Sequence, residues 1–366
     1  MKQRALAITI LVSLMFACGA AHAADSLCPR PSTGNGQVQA VMAAIKAFQK
    51  TLNAEQRSAL ERPLVRESAI RWSNLPVGVV PRTGLRLGDL DVKQEYAARR
   101  VAAAALSACG LKMLDEIRIA DNFLKNVDAR KIGWDGANYF MSILGTPSER
   151  KSWMLQIGGH HVAYNFTFNG GRDGATPLFF GSEPIYFSMG DTDYEPLATQ
   201  SGAMSSLARA LASHPEAKLS GTFTDVVKGV VVEMVQGQLP KGGTDTGFPM
   251  SYPTGTTDRG ILYSALSAEE QALVRAALES YASLPGAAIT QPLVAAYESP
   301  AALDETYVGY SGKPDLSAEG SYVRIDGPRI WMELVVQRAV ADRTKLHYHA
   351  LWRDKQSDYG GEIGTK

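Results

Sequence analysis

Apolar residues recur at helical spacing over residues 37–52: Val38, Val41, Met42, Ile45, Phe48 and Leu52 define one face of an amphipathic helix. Asn53 then offers a cap for a short second helix opening Ala54-Glu55-Gln56, with Pro63 beyond its end. Residues 72–76 and 81–85 read as an extended, turn-rich passage. The Ala-rich stretch 91–111 predicts one helix ending at Gly110, with residues 113–123 as its helical partner. After Asp135-Gly136 the period falls from 3.6 to 2. Residues 139–144, 153–157 and 160–168 read as three successive strands, hence an antiparallel sheet with mostly short connections.

Helical spacing returns at 197–212 and at 225–235, and residues 236–257 form a Gly/Pro/Thr-rich loop of the kind that serves as a lid or binding loop. Ser267 followed by Glu270 is a capping-box pattern opening a helix that runs to about Ser283 and stops at Pro285. Residues 322–325, 329–337 and 346–353 form a second strand-rich block, the last two as a hairpin around Ala341-Asp342-Arg343. Leu52-Asn53-Ala54-Glu55-Gln56 echoes Leu266-Ser267-Ala268-Glu269-Glu270-Gln271, which is read as two similar helix caps and not as a repeat. Helices, strands, helices, strands in that order predict an α+β fold: both strand blocks join one antiparallel sheet, and helices cover a face. One exported domain over residues 24–366 is expected; the alternative is two domains divided near Thr257.

The N-terminus changes the compartment. Lys2 and Arg4 precede an apolar run to Ala17, and Ala21-His22-Ala23 resembles a cleavage site, so residues 1–23 read as a secretory signal peptide and the mature chain as periplasmic or secreted. The rival reading is a lipoprotein anchored at Cys18. The run is too short to span a bilayer. Cys28 and Cys109 remain after cleavage, and an oxidising compartment favours a disulfide between them. Cleavage removes Lys2 and Arg4 and no acid, which takes the formal charge from zero to about −2. With no basic stripe, nucleic acid is a poor partner; a small-molecule substrate or ligand fits better.

The candidate chemistry lies in histidines. Four of the six fall in two clusters, Gly158-Gly159-His160-His161 and His347-Tyr348-His349. Strand alternation puts His347, His349 and Leu351 on one face and Tyr348, Ala350 and Trp352 on the other. His-x-His on one strand face suits one divalent transition metal: zinc, copper or iron. In residues 160–168 the even positions are a core face and the odd ones small and polar, so His161 is the better third ligand. A bulge at Gly158-Gly159 would bring His160 in instead.

Glu333 is an acid in an otherwise apolar strand. It faces His349 if the turn between its strand and the next has an odd number of residues and the Ala350 side of the sheet if the number is even; the plainer alternative is an edge-strand glutamate pointing to water. Glu183, between an apolar run and Pro184, is either a turn acid or, like Glu333, a fourth ligand or general base. Arg324, near Asp326 and Arg329, is a candidate for holding an anionic substrate, with ordinary ion pairing as the plainer alternative. Gly-x-Ser-x-Gly, P-loop, dinucleotide and His-Glu-x-x-His patterns are absent, and the Asn165-Phe166-Thr167 sequon is incidental.

Several of these stretches together resemble the uncharacterised DUF3500 family. They are Trp153 through His161, Thr176-Pro177 with Phe180-Gly181-Ser182-Glu183-Pro184, and Tyr322 through Pro328 with Trp331 and Glu333. His347-Tyr348-His349 and Arg353-Asp354 with Asp358-Tyr359-Gly360 complete the set. The resemblance spans nearly the whole mature chain and implies a single family domain without supplying an activity. The residues support an exported enzyme with one mononuclear metal, hydrolase or oxidoreductase, or alternatively a metal- or small-molecule-binding protein without turnover. A metal-free hydrolase using a His/Glu pair is the third reading.

Overall fold

A computed structural model describes residues 36–130, 132–233 and 241–361. The signal segment, Cys18, Cys28 and with it the Cys28–Cys109 bridge, residues 234–240 of the long loop and the last five residues lie outside the described residues.

Two strand blocks meet in one sheet. The first holds β1 (Phe140–Leu144), β2 (Trp153–Gly159), β3 (Val162–Phe168) and β4 (Leu178–Ser182); the second holds β5 (Tyr307–Ser311), β6 (Tyr322–Asp326), β7 (Ile330–Arg338) and β8 (Leu346–Asp354). Their spatial order is β1-β2-β3-β4-β8-β7-β6-β5, antiparallel throughout. Short strands flank it, and one of them, Glu61–Arg62, runs parallel to β1. The chain thus leaves the sheet after β4, builds helices, and returns to pair β8 against β4.

One face carries the main core. Ile157, Tyr164, Phe180, Met332, Leu334, Ala350 and Trp352 pack there under helices α1 (Gln37–Gln49), α2 (Val92–Ala105), α3 (Ala108–Val127), α4 (Ala198–Leu211), α5 (Ala268–Ala282) and α6 (Ala287–Tyr297). On the opposite face Ala163, Phe179, Leu351 and Val335 are roofed by Trp72, Phe223, Val226, Val230 and Phe248, which belong to irregular segments. Trp72 is buried and the other four are half-buried against this face, so the irregular cover is held by a smaller apolar cluster of its own.

The two similar caps at Asn53 and Ser267 are both complete capping boxes, closed by Gln56 and Glu270. The single helix expected over 91–111 is two. α2 ends at Leu106, and Ser107 caps α3 by accepting from the Gly110 N–H, so Gly110 lies in the first turn of a helix. It sits where a Cβ would meet the Leu284 carbonyl at 2.0 Å. The helix expected at 225–235 is absent over its described residues, 225–233. A turn and the strand Val231–Glu233 replace it, pairing with Lys241–Thr244; the Val226-Val227 and Val230-Val231-Val232 runs are β-branched and Gly229 interrupts them. No described helix is long and apolar enough to cross a membrane.

Candidate metal centre

β8 supplies two of the residues. Its alternation sends Tyr348, Ala350 and Trp352 into the main core and leaves His347 and His349 on the opposite face, each at most 5% exposed. His349 lies opposite Gly181 of β4. A Cβ at Gly181 would stand 2.6 Å from the Tyr348 carbonyl, 3.2 Å from the His349 ring and 3.3 Å from the His161 ring. Only glycine lets these two imidazoles close over β4.

His161 arrives by another route than strand alternation. β2 and β3 form a hairpin in which Gly159 pairs with Val162, so His160 and His161 make up its two-residue turn. His161 has φ 105°, left-handed backbone that costs a non-glycine residue about 1–3 kcal/mol. The turn is fixed on several sides: Tyr139 Oη donates to the His160 carbonyl at 2.6 Å, the His161 N–H to Gly159 O at 3.0 Å, and the Gly181 N–H to His161 O at 2.8 Å. The strain is held at a position that presents an imidazole to β8.

Three ring nitrogens converge. His349 Nε2 lies 3.2 Å from His161 Nε2 and 3.3 Å from His347 Nε2, and the donor atoms of all three lie within 4.8 Å of one another. Asp225 Oδ1 stands 2.8 Å from His349 Nδ1. The His349 Nδ1–H donates to that carboxylate, which leaves Nε2 of the neutral ring with a bare lone pair. One lone pair accepts one good hydrogen bond, yet two imidazole nitrogens crowd it. A cation at their centre resolves the conflict: metal–nitrogen bonds of about 2.0–2.1 Å in tetrahedral geometry require nitrogens about 3.3 Å apart. The two spacings at His349 match that requirement, and the three histidines form a group that could hold a metal ion.

The other singled-out residues lie around this triad. His160 turns away; its Nδ1 is 2.5 Å from Asp121 Oδ1 on α3, and its ring lies 3.6 Å from that of His161. Glu183 is buried and accepts the Ala341 N–H at 2.5 Å; its other oxygen is 4.0 Å from His347 Nδ1, too far for a direct hydrogen bond. Seven residues separate β7 from β8, an odd number, so Glu333 shares the face of His349, two positions along through Leu351. Its carboxylate takes the N–H groups of Val227 and Lys228 and the Tyr322 hydroxyl, and no histidine. Arg324 donates to the Asp258 carbonyl at 2.8 Å and lies over Trp331, away from the triad. The neighbouring acids pair as strand pins: Asp326 with Arg259 and Lys355, Asp354 with Arg329. Asp225 was not singled out from sequence; nothing local marks a carboxylate 124 residues from its partner.

A model of the family described as "Protein of unknown function (DUF3500)" matches residues 34–361. The chain belongs to the DUF3500 family. No curated protein and no solved structure is significantly similar to it. The DUF3500 match takes in every residue of the triad and Asp225.

Burial, followed by the neighbouring imidazoles, holds His161 and His347 well below the ordinary histidine range. Both stay neutral in the folded chain at pH values where the unfolded chain, at about 6.5, takes up protons. The unfolded state then binds more protons, so stability falls as pH drops below about 6.5. Between pH 7 and 5.5 the metal-free parent should lose about 1 kcal/mol more stability than His347→Ala, which lacks one such group. Urea melts of the two proteins at both pH values check this; parallel losses would contradict it.

Proposed function

We propose that this DUF3500 protein is an exported, metal-dependent enzyme in which the Nε2 atoms of His161, His347 and His349 hold one divalent transition metal. The observation that carries the reading is the approach of His161 Nε2 and His347 Nε2 to within 3.2 and 3.3 Å of His349 Nε2, on a ring whose Nδ1 faces Asp225. Three imidazoles leave a fourth position for water or substrate, the arrangement of three-histidine catalytic zinc sites. A metal held there would supply Lewis acidity and a lowered pKa of water if it were zinc, and oxidative chemistry if it were copper or iron.

The chain's own residues divide the remaining work. Asp225 fixes the tautomer of His349, and the hairpin turn fixes His161. Glu183 stands beside His347 at a distance that one water spans. Arg324, which donates to the Asp258 carbonyl and lies over Trp331, is given no part in this shell.

A second reading, a protein that holds metal without turnover, is favoured by burial, since the three histidines are only 2–5% exposed. Metal analysis of protein purified without a histidine tag should find about one transition-metal ion per chain. Turnover of a hydrolytic and oxidative substrate panel by the loaded protein, against the metal-stripped form, then separates enzyme from binder. Turnover unaffected by stripping would leave the metal-free His/Glu reading.

A further inference from the structure

The site depends on Asp225, whose own anchors are few: its Oδ1 accepts the Val226 N–H at 2.7 Å, and the Gln337 side chain lies beside it. Asp225 lies in an irregular segment with its side chain 46% exposed, and a carboxylate on a free loop samples many positions. The segment is nevertheless clamped on both sides of it. Before it, the Phe223 ring stacks on Tyr322 at 3.9 Å and the Thr224 carbonyl accepts from Gln337 Nε2 at 2.6 Å. After it, the Val227 and Lys228 N–H groups donate to the two oxygens of Glu333 at 2.7 and 2.8 Å, and Arg353 Nε donates to the Lys228 carbonyl at 2.6 Å. Gln337 and Glu333 both project from β7 onto the face that carries the histidines.

A wholly buried carboxylate in a strand is costly unless its oxygens are engaged. Glu333 spends its oxygens on two backbone N–H groups and on the Tyr322 hydroxyl at 2.7 Å. Building on the metal reading above, we infer that Glu333 and Gln337 are positioning residues: Glu333 through the Val227 and Lys228 N–H groups, and Gln337 through the Thr224 carbonyl and the Asp225 carboxylate itself, hold Asp225 against His349 Nδ1 and so fix which nitrogen of His349 faces the metal. Glu333 is part of the site at two removes, touching neither metal nor substrate.

The amide of Glu333→Gln would turn a donor toward one of the two backbone N–H groups, releasing that bond with little change of shape. Nitrogen NMR of the metal-free protein reads the consequence directly. In the parent, His349 should be a single Nδ1–H tautomer; in Glu333→Gln it should become a mixture while the remaining resonances stay dispersed. Competition for zinc against a chromophoric chelator should show about a tenfold weaker Kd. The same substitution placed on Asp225→Ala should add less than about twofold, because its effect passes through Asp225. If Glu333→Gln does not fold, Gln337→Ala, at a half-buried position, carries the same readings.

An unchanged His349 tautomer, or an equal tenfold loss with and without Asp225, overturns the inference. A parent that takes up no zinc yet shows the tautomer change overturns the metal reading and leaves the positioning role standing.

Discussion

Replacing His349 by alanine should reduce bound metal from about one ion per chain to below a tenth, with the chain still folded. His349 is the shared vertex of the triad: its Nε2 is the atom within 3.3 Å of both other nitrogens, and its Nδ1 carries the Asp225 contact. His347→Ala and His161→Ala should show the same loss, His161→Ala without relief of backbone strain, since alanine keeps the Cβ that the left-handed turn disfavours. Cavity formation at a buried ring limits the stability cost in the metal-free state to about 2–4 kcal/mol. His214→Ala is the control. That histidine pairs with Glu270 at 2.7 Å at the start of α5, far from the triad in its contacts, and its loss should leave metal content unchanged. Metal analysis alongside thermal unfolding of the four variants checks the set.

The largest effect on folding should come from Arg353→Ala. This guanidinium is wholly buried and reaches Asp358 and Asp245 at 2.7 Å each. It joins β8 to the C-terminal turn and to the irregular cover, where Tyr359 Oη donates to Asp245 and Trp72 Nε1 to Tyr359 Oη. Truncation leaves two buried carboxylates without their cation, at about 3–5 kcal/mol. Burial pushes the Asp358 carboxyl up to about 6 even with Arg353 opposing it. Without Arg353 it rises further and takes a proton more readily, so the loss should be smaller at pH 5.5 than at pH 8. Urea melts at both values test the size and the trend. A loss under about 1 kcal/mol would mean that water replaces the arginine.

Much of this was legible in residue order alone. The α+β class followed from two changes of period, and the His347/His349 pair from strand alternation, because a half-buried strand repeats every two residues whatever its partners. The sharing of a face by Glu333 and His349 hung on the parity of one turn that the sequence left open: the strand bounds read from it leave eight residues between the strands, and the structure leaves seven. The selection of His161 over His160 rested on alternation within a strand; the structure places both in the turn before that strand, where the backbone conformation of Gly159, His160 and His161 decides their direction.

Helix α6 and strand β5 passed unread for local reasons: Pro292 lies inside the helix and Gly309 in the middle of the strand. The break between α2 and α3 was hidden because Ala and Leu favour helix on both sides of Ser107. Asp225 and the role of Glu333 were out of reach. Both depend on an irregular segment laid across a sheet more than 100 residues away, and no period records that contact.

X-ray absorption at the edge of whichever metal copurifies with the untagged protein tests the central claim most directly. The account predicts three imidazole nitrogens at about 2.0–2.2 Å with one further oxygen or nitrogen ligand, and loss of imidazole scattering in His349→Ala. A shell built of sulfur, a shell unchanged by substitution of His161, His347 or His349, or no stoichiometric metal at all would contradict it.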